Sequence, residues 1–371
     1  MASVSALAAA LAPSSSAVAS PLDIVGLGSR HAGQVNVGLA SVDDATALYY
    51  NPAGLANHPA CRREEELPEE HDESPDPICV ERDRGDFVIG VGAAYSHLAI
   101  NRVRAPFNDA GGAQLAGRVR LGQRFGLAFA FHGPSQGGQH AVVRDPSAPL
   151  YPSYRDRLSR PVLLVGAGAE LGDGKALGAA IDLGAGTVRP KAIVGATLHI
   201  SSSLQIGAVW RQRFAIVDEA TGARVHYTPH TFLGGLTFTN DAIRASVEVG
   251  FAHWSAYEGP FATATSVRVP YSSTGQLRFG IESRKDAGIA FRFGYGLESS
   301  AIPQQQPGSN LLDGFKQSVA GGASYGHGRV RVDAHAAVHI ISTRTMTEPD
   351  DTIIKSGGEI FTAGLSLAVG Y

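Results

Sequence analysis

Phe361-Thr362-Ala363-Gly364-Leu365-Ser366-Leu367-Ala368-Val369-Gly370-Tyr371 reads as one long β-strand. Phe361, Ala363, Leu365, Leu367, Val369 and Tyr371 form one side, and Thr362, Gly364, Ser366, Ala368 and Gly370 form the other. Successive strand side chains point to opposite faces, so the segment has one apolar face and one small or polar face. Val330 to Ile340 follows the same rule: Val330, Val332, Ala334, Ala336, Val338 and Ile340 oppose Arg331, Asp333, His335 and His339. Ile243, Ala245, Val247, Val249 and Phe251 oppose Arg244, Ser246, Glu248 and Gly250, and Ile289, Phe291, Phe293 and Tyr295 oppose Arg292, Gly294 and Gly296.

Working outward from these segments, the alternation predicts about fourteen strands. They lie near 87–103, 112–121, 124–132, 161–171, 174–187, 192–200, 203–217, 226–239, 241–256, 272–283, 286–298, 315–326, 328–342 and 358–371. Tight turns such as Gly172-Asp173-Gly174, Asn240-Asp241 and Gly326-His327-Gly328 alternate with longer connections at 133–160, 257–271, 299–314 and 343–357. Short turns at one rim and long loops at the other are the pattern of an outer-membrane barrel. An even strand number puts both ends of the barrel at the short-turn rim. A soluble sandwich also pairs an apolar face with a polar one. Strand length, the aromatic Tyr371 at the end of the last strand and a signal-like N-terminus favour the barrel, which also leaves no unpaired edge in hydrocarbon.

Composition agrees. The 371 residues include 45 glycines, and the net charge of −3 gives no basic footprint for nucleic acid. After the N-terminus no apolar run approaches the roughly twenty residues of a membrane helix. Residues 1–19 read as a secretory signal, with an apolar Val4–Leu11 core and a small-residue Ala17-Val18-Ala19 site, although the stretch lacks Lys and Arg. The alternative is an Ala/Ser-rich tail. Cys61 and Cys79 flank an acidic, proline-bearing insertion, residues 61–86. In an exported chain the pair is expected to form a disulfide worth about 3 kcal/mol, with two free thiols as the alternative. Glu69, Glu70, Asp72 and Asp76 most simply belong to a solvated loop, and no metal or other cofactor is expected.

Residues 20–60 are the exception to the alternation. Within them, Asp43-Asp44-Ala45-Thr46-Ala47-Leu48-Tyr49-Tyr50-Asn51-Pro52-Ala53-Gly54-Leu55-Ala56 reads as a short helix broken by Pro52. Ser41 and Asp44 have capping-box spacing. Pro52 lacks a backbone donor and forces Asn51 out of helical geometry. A fourteen-stranded wall lined inside by Gly, Ala and Ser leaves a wide lumen, and this segment has the size and character to occlude it.

Gly26-x-Gly28-Ser29-Arg30, Gly38-Leu39-Ala40 and the Asp43–Leu55 run resemble the N-terminal hatch of the FadL/TodX family. The resemblance is sharp over residues 22–56. It implies an all-β transmembrane antiparallel barrel with an N-terminal hatch in the lumen, in the outer membrane of a Gram-negative bacterium. It further implies passive, non-enzymatic uptake of long-chain fatty acids or other hydrophobic compounds, by a protein expected to be a monomer in outer-membrane lipid. Asp43, Asp44, Tyr49 and Tyr50 then belong to the hatch helix, and Asn51, Pro52 and Ala53 are a candidate hinge, or else a static lock.

Lumen arginines, chiefly Arg244, Arg292 and Arg331, are candidates for contact with a carboxylate headgroup. The competing expectation pairs them with Glu248, Glu282, Glu298 and Asp333. Gly133-Pro134-Ser135-Gln136-Gly137 matches a hydrolase motif but lacks the following helix that motif needs. His335 and His339 lie about 13 Å apart on a strand, too far to share a metal. Two rival functions are a barrel esterase or lipid-modifying enzyme using Ser135, and a structural barrel without transport.

Overall fold

The computed structural model describes residues 22–56, 84–101, 103–104, 109–122, 124–134, 161–183, 190–217, 224–257, 271–283, 288–302, 313–347 and 350–371. The signal-like residues 1–19, Cys61, Cys79, the acidic residues between them and Ser135 lie outside these ranges.

Among the described residues, seventeen strands follow the inner segment: β1 (Gly85–Ile100), β2 (Val103–Arg104), β3 (Asp109–Leu121), β4 (Phe125–Pro134), β5 (Val162–Gly172), β6 (Lys175–Asp182), β7 (Lys191–His199), β8 (Leu204–Arg211), β9 (Phe214–Val217), β10 (Arg224–Thr228), β11 (Thr231–Thr239), β12 (Ile243–Ala252), β13 (Thr274–Ser283), β14 (Ile289–Glu298), β15 (Lys316–His327), β16 (Val330–Thr347) and β17 (Ile353–Gly370). Fifteen share one sheet, in which β2 is a two-residue appendage on β1. The other fourteen pair antiparallel, and β17 pairs back onto β1 to close the barrel. At the seam the Tyr371 hydroxyl donates to the Arg118 carbonyl (3.0 Å), and Arg84 N–H donates to the Tyr371 carbonyl.

The alternation sorts the faces as a membrane barrel requires. Leu365 is 55% exposed and Phe293 52%, and Ile89, Phe131, Phe291 and Phe361 are also exposed on the outside. Their inward neighbours include Asp86, Arg118, Glu282, Asp333 and Ser366, all buried. An apolar band of this extent facing outward is stable against lipid and not against water. No helix among the described residues is long and apolar enough to cross a membrane; the crossing elements are strands.

The strand boundaries depart from expectation in four places. The barrel begins at Gly85, inside the stretch read as the acidic insertion. The expected strands 203–217 and 226–239 each split: β8 stops at Arg211, β11 starts at Thr231, and β9 and β10 form a separate ribbon at the long-loop rim. Pro229 has no N–H for the ladder, and Arg213 N–H donates instead to the His230 ring (3.1 Å). The strand expected over 241–256 ends at Ala252, followed by a 3-10 turn at Trp254–Ala256. Finally, β16 and β17 run well past their expected ends, to Thr347 and from Ile353.

Candidate functional site

Residues 22–56 lie inside the barrel. They fold into α1 (Leu22–Val25), α2 (Ser29–Ala32), α3 (Ala47–Tyr50) and a 3-10 turn at Pro52–Leu55. Isolated helices this short do not persist in water, so the wall must hold them. Leu22, Leu27, Leu39, Leu48 and Leu55 are almost fully buried, together with Leu164, Ile193 and Val209 of the wall. Polar bonds fix the segment further. Gln114 accepts from Gly28 N–H (2.8 Å) and donates to the Gly26 carbonyl (2.7 Å). Glu248 accepts from the N–H groups of Gly38 and Leu39 (2.7 and 2.6 Å). Asp86 accepts from Ala45 N–H (2.7 Å) and pairs with Arg118 (2.6 Å).

The helix begins later than its sequence suggested. The Ser41–Asp44 capping box does not form; Asp44 accepts from Thr46 N–H (3.0 Å), and α3 starts at Ala47. Asp43 and Asp44 therefore precede the helix. Tyr49 and Tyr50 lie in it, with the Tyr50 hydroxyl between Leu27 N–H and Asn36 Oδ1 (3.1 Å each). The Arg211 guanidinium sits 4.4 Å from the Tyr49 ring centroid and donates to the Tyr49 carbonyl (2.9 Å).

Asn51 is extended (φ −157°) and fully buried, as the following proline demands. Its Oδ1 caps Ala53 N–H (3.1 Å), and its Nδ2 donates to the carbonyls of Leu39 (2.7 Å) and Ala196 (3.0 Å). The turn it opens rests on glycine. Gly126, Gly168, Gly178 and Gly195 stand opposite one another across β4, β5, β6 and β7. A β-carbon on Gly168 would lie 2.6 Å from the Pro52 oxygen. On Gly178 it would overlap the backbone joining Pro52 and Ala53, and on Gly195 the Asn51 side chain. The bare wall is what admits the backbone of Asn51-Pro52-Ala53.

On the other side of the lumen the segment is held by charge. Arg30 bonds Asp43 (2.7 Å) and reaches Glu282 with two nitrogens (3.3 Å each). Glu282 also takes Arg244 (3.4 Å) and Arg292. Arg292 bonds Asp333 (3.2 Å), Asp333 bonds Arg331 (2.9 Å), and Arg331 returns to Asp44 (3.2 Å), itself 3.8 Å from Arg30. Arg30, Arg244, Arg292 and Arg331 thus face Asp43, Asp44, Glu282 and Asp333, four charges of each sign in one closed circuit. Burying one of these ions alone would cost several kcal/mol, so each is tenable only with its partners. Arg244, Arg292 and Arg331, the headgroup candidates, all carry carboxylate partners, and Arg331 ties the wall directly to the inner segment. Glu248, expected to pair with a lumen arginine, instead accepts from the Gly38 and Leu39 N–H groups. Arg30, Gln114 and the Asp86–Arg118 pair were not singled out from sequence. Their signal was a charged or amide side chain on the inner face of a strand, or an arginine within the glycine-rich N-terminal run.

No protein-family profile and no curated protein matches the sequence. Solved structures match closely in shape. A FadL homologue from Pseudomonas aeruginosa superposes with a TM-score of 0.64 at 11% identity, over 92% of this chain and 98% of that one. The fold is that of the FadL and TodX barrels. The toluene transporter TodX of P. putida gives 0.62 at 12% identity, covering 94% of this chain and 99% of that one. The toluene transporter TbuX of Ralstonia pickettii gives 0.57 at 14% identity, covering 94% and 100%.

Proposed function

We propose that the protein is a passive outer-membrane transporter that takes hydrophobic small molecules, long-chain fatty acids among them, into a Gram-negative cell. Residues 22–56 act as its hatch, with the short-turn rim facing the periplasm. The observation that carries this reading is the buried segment across the lumen, docked by bonds and close packing on nearly every side. An open aqueous pore offers a greasy solute little, whereas a closed lumen offers a place to leave water at about 25 cal/mol per Å² of apolar surface. The transporters of shared fold are described as carrying toluene and monoaromatic hydrocarbons, which supports a hydrophobic cargo.

In this reading Asn51-Pro52-Ala53 is the hinge of the closed state. Opening must break the Asn51 bonds to Leu39 and Ala196 or the arginine circuit, and a ligand drives it only by binding the open form better. The test is uptake of labelled oleate and toluene by cells with and without the gene, with single-channel conductance of the purified protein beside it. Gene-dependent uptake with little conductance is expected. Unchanged uptake and porin-like conductance would overturn the proposal.

A further inference from the structure

Among the described residues, one stretch of the inner wall carries no part of the hatch. Gly112 of β3, Gly92 of β1 and Gly364 of β17 stand directly opposite one another, facing inward and half-buried. Among the described residues, a β-carbon on Gly92 would meet nothing nearer than the Ala363 carbonyl, at 3.7 Å. An imidazole flanks the uncovered Gly92 on each side. The His132 ring, from β4, lies over Gly112, with Cε1 at 2.5 Å from where a β-carbon would sit. The His335 ring, from β16, lies over Gly364 in the same way, at 2.6 Å. Both rings lean toward β1, and His132 is only 3% exposed and His335 8%.

Neither ring is satisfied. Nδ1 of His132 and both ring nitrogens of His335 are buried without a hydrogen-bond partner. A buried polar group left unpaired costs about 1–3 kcal/mol, and each of these nitrogens imposes such a cost. No carboxylate among the described residues bonds either ring, so each is most stable as uncharged imidazole, with one donor and one acceptor. That pair of valences suits a neutral hydroxyl, which both donates and accepts. It does not suit a carboxylate, which only accepts and brings a charge, and Arg244, Arg292 and Arg331 already hold carboxylates of the protein.

We propose that the space over Gly92, between the His132 and His335 rings, receives the polar end of the transported molecule, and that this end is a neutral hydroxyl such as a phenol or alcohol. Bare Gly92 leaves room for the group that carries the hydroxyl, and His132 and His335 on either side offer the hydrogen bonds. The inference rests on the transport reading above, whose cargo class it narrows.

The test is a competition among 4-hexylphenol, 4-hexylbenzoate and hexylbenzene at equal concentration, with occupancy of the purified full-length protein read by native mass spectrometry. The phenol should exceed hexylbenzene by about tenfold, the worth of one net hydrogen bond. In the His132→Phe/His335→Phe double variant, which keeps ring size, the two should bind equally, with hexylbenzene occupancy undiminished. Heat-modifiable migration on gels confirms that the variant barrel is folded, and the single variants replace it if it is not. Equal binding of phenol and hexylbenzene to the native protein, preference for the benzoate, or a phenol preference that survives in the folded variant would overturn the inference while leaving transport intact. Binding of none of the three would overturn the transport reading and the inference with it.

Discussion

Gly178 of β6 lies directly beneath the Pro52 carbonyl, so near that a β-carbon on Gly178 would occupy the backbone joining Pro52 to Ala53. The obstacle is main chain on both sides, so no side-chain rotation relieves it. Gly178→Ala should unseat the 3-10 turn at Pro52–Leu55, an overpacking cost of about 1–3 kcal/mol, while the outer wall still closes. Conductance in planar bilayers should rise above that of the native protein. Gly275→Ala is the control, because a β-carbon there meets nothing within 4 Å. Equal conductance of the two variants would show that the turn does not seal the lumen.

Glu282 is the busiest carboxylate of the circuit, bonded to Arg30, Arg244 and Arg292. Glu282→Gln leaves three arginines buried around a neutral amide. Loss of one partner of a buried ion pair typically costs about 3–5 kcal/mol. Urea unfolding of the protein in lipid vesicles should register a loss of that order. A change below about 1 kcal/mol would mean that the circuit is hydrated in solution.

Asn51→Ala removes two carbonyl partners and the cap of the 3-10 turn at once. At about 0.5–1.5 kcal/mol per bond, the inner segment should lose roughly 1.5–4.5 kcal/mol of docking. Hydrogen exchange should speed up over residues 39–56 and stay unchanged in the barrel strands. If Asn51 is the hinge, oleate uptake changes as well. If it is only a lock, exchange speeds up and uptake stays the same.

His31 gives the hatch a dependence on pH. Its ring is buried against Tyr50, centroids 4.6 Å apart, and Nδ1–H donates to the Val37 carbonyl (2.9 Å). Burial pushes the imidazole down to about 4, the attraction of Asp44 and the repulsion of Arg30 being smaller effects. The folded value lies below the roughly 6.5 of an exposed histidine, so the undocked segment takes up a proton first. The contribution of neutral His31 is complete above about pH 6.5 and declines as the pH falls toward 4. Exchange protection of residues 27–38 should therefore weaken across that window in the native protein, and less so in His31→Asn. Identical profiles would assign the pH dependence to other groups.

The wall was legible in the sequence because alternation is a local property. Phe361 to Tyr371 and Ile289 to Tyr295 declare their two faces without reference to any other strand, and both face as read. The ends of strands were less legible where partners decide them. Pro229 stops β11, yet nothing near Thr347 foretells that β16 extends to pair with Ile353. The inner segment was legible as an exception to the pattern, and Pro52 as the cause of its break. How it is held was not. Arg30 finds Glu282 across 252 positions of sequence, and Arg331 finds Asp44 across 287. Gly126, Gly168, Gly178 and Gly195 looked like residues that fill little space. Only their register shows that the space is taken by another part of the chain.

The arginine circuit also sets an order of assembly. Asp44 leaves the ribosome early, but its partner Arg331 lies on the sixteenth of seventeen strands. The charged side of the inner segment's docking surface is therefore incomplete until nearly the whole cylinder has been laid down. Contacts this distant along the chain form slowly, so refolding into vesicles should show strand pairing first and burial of Tyr49 and Tyr50 as a separate, later phase.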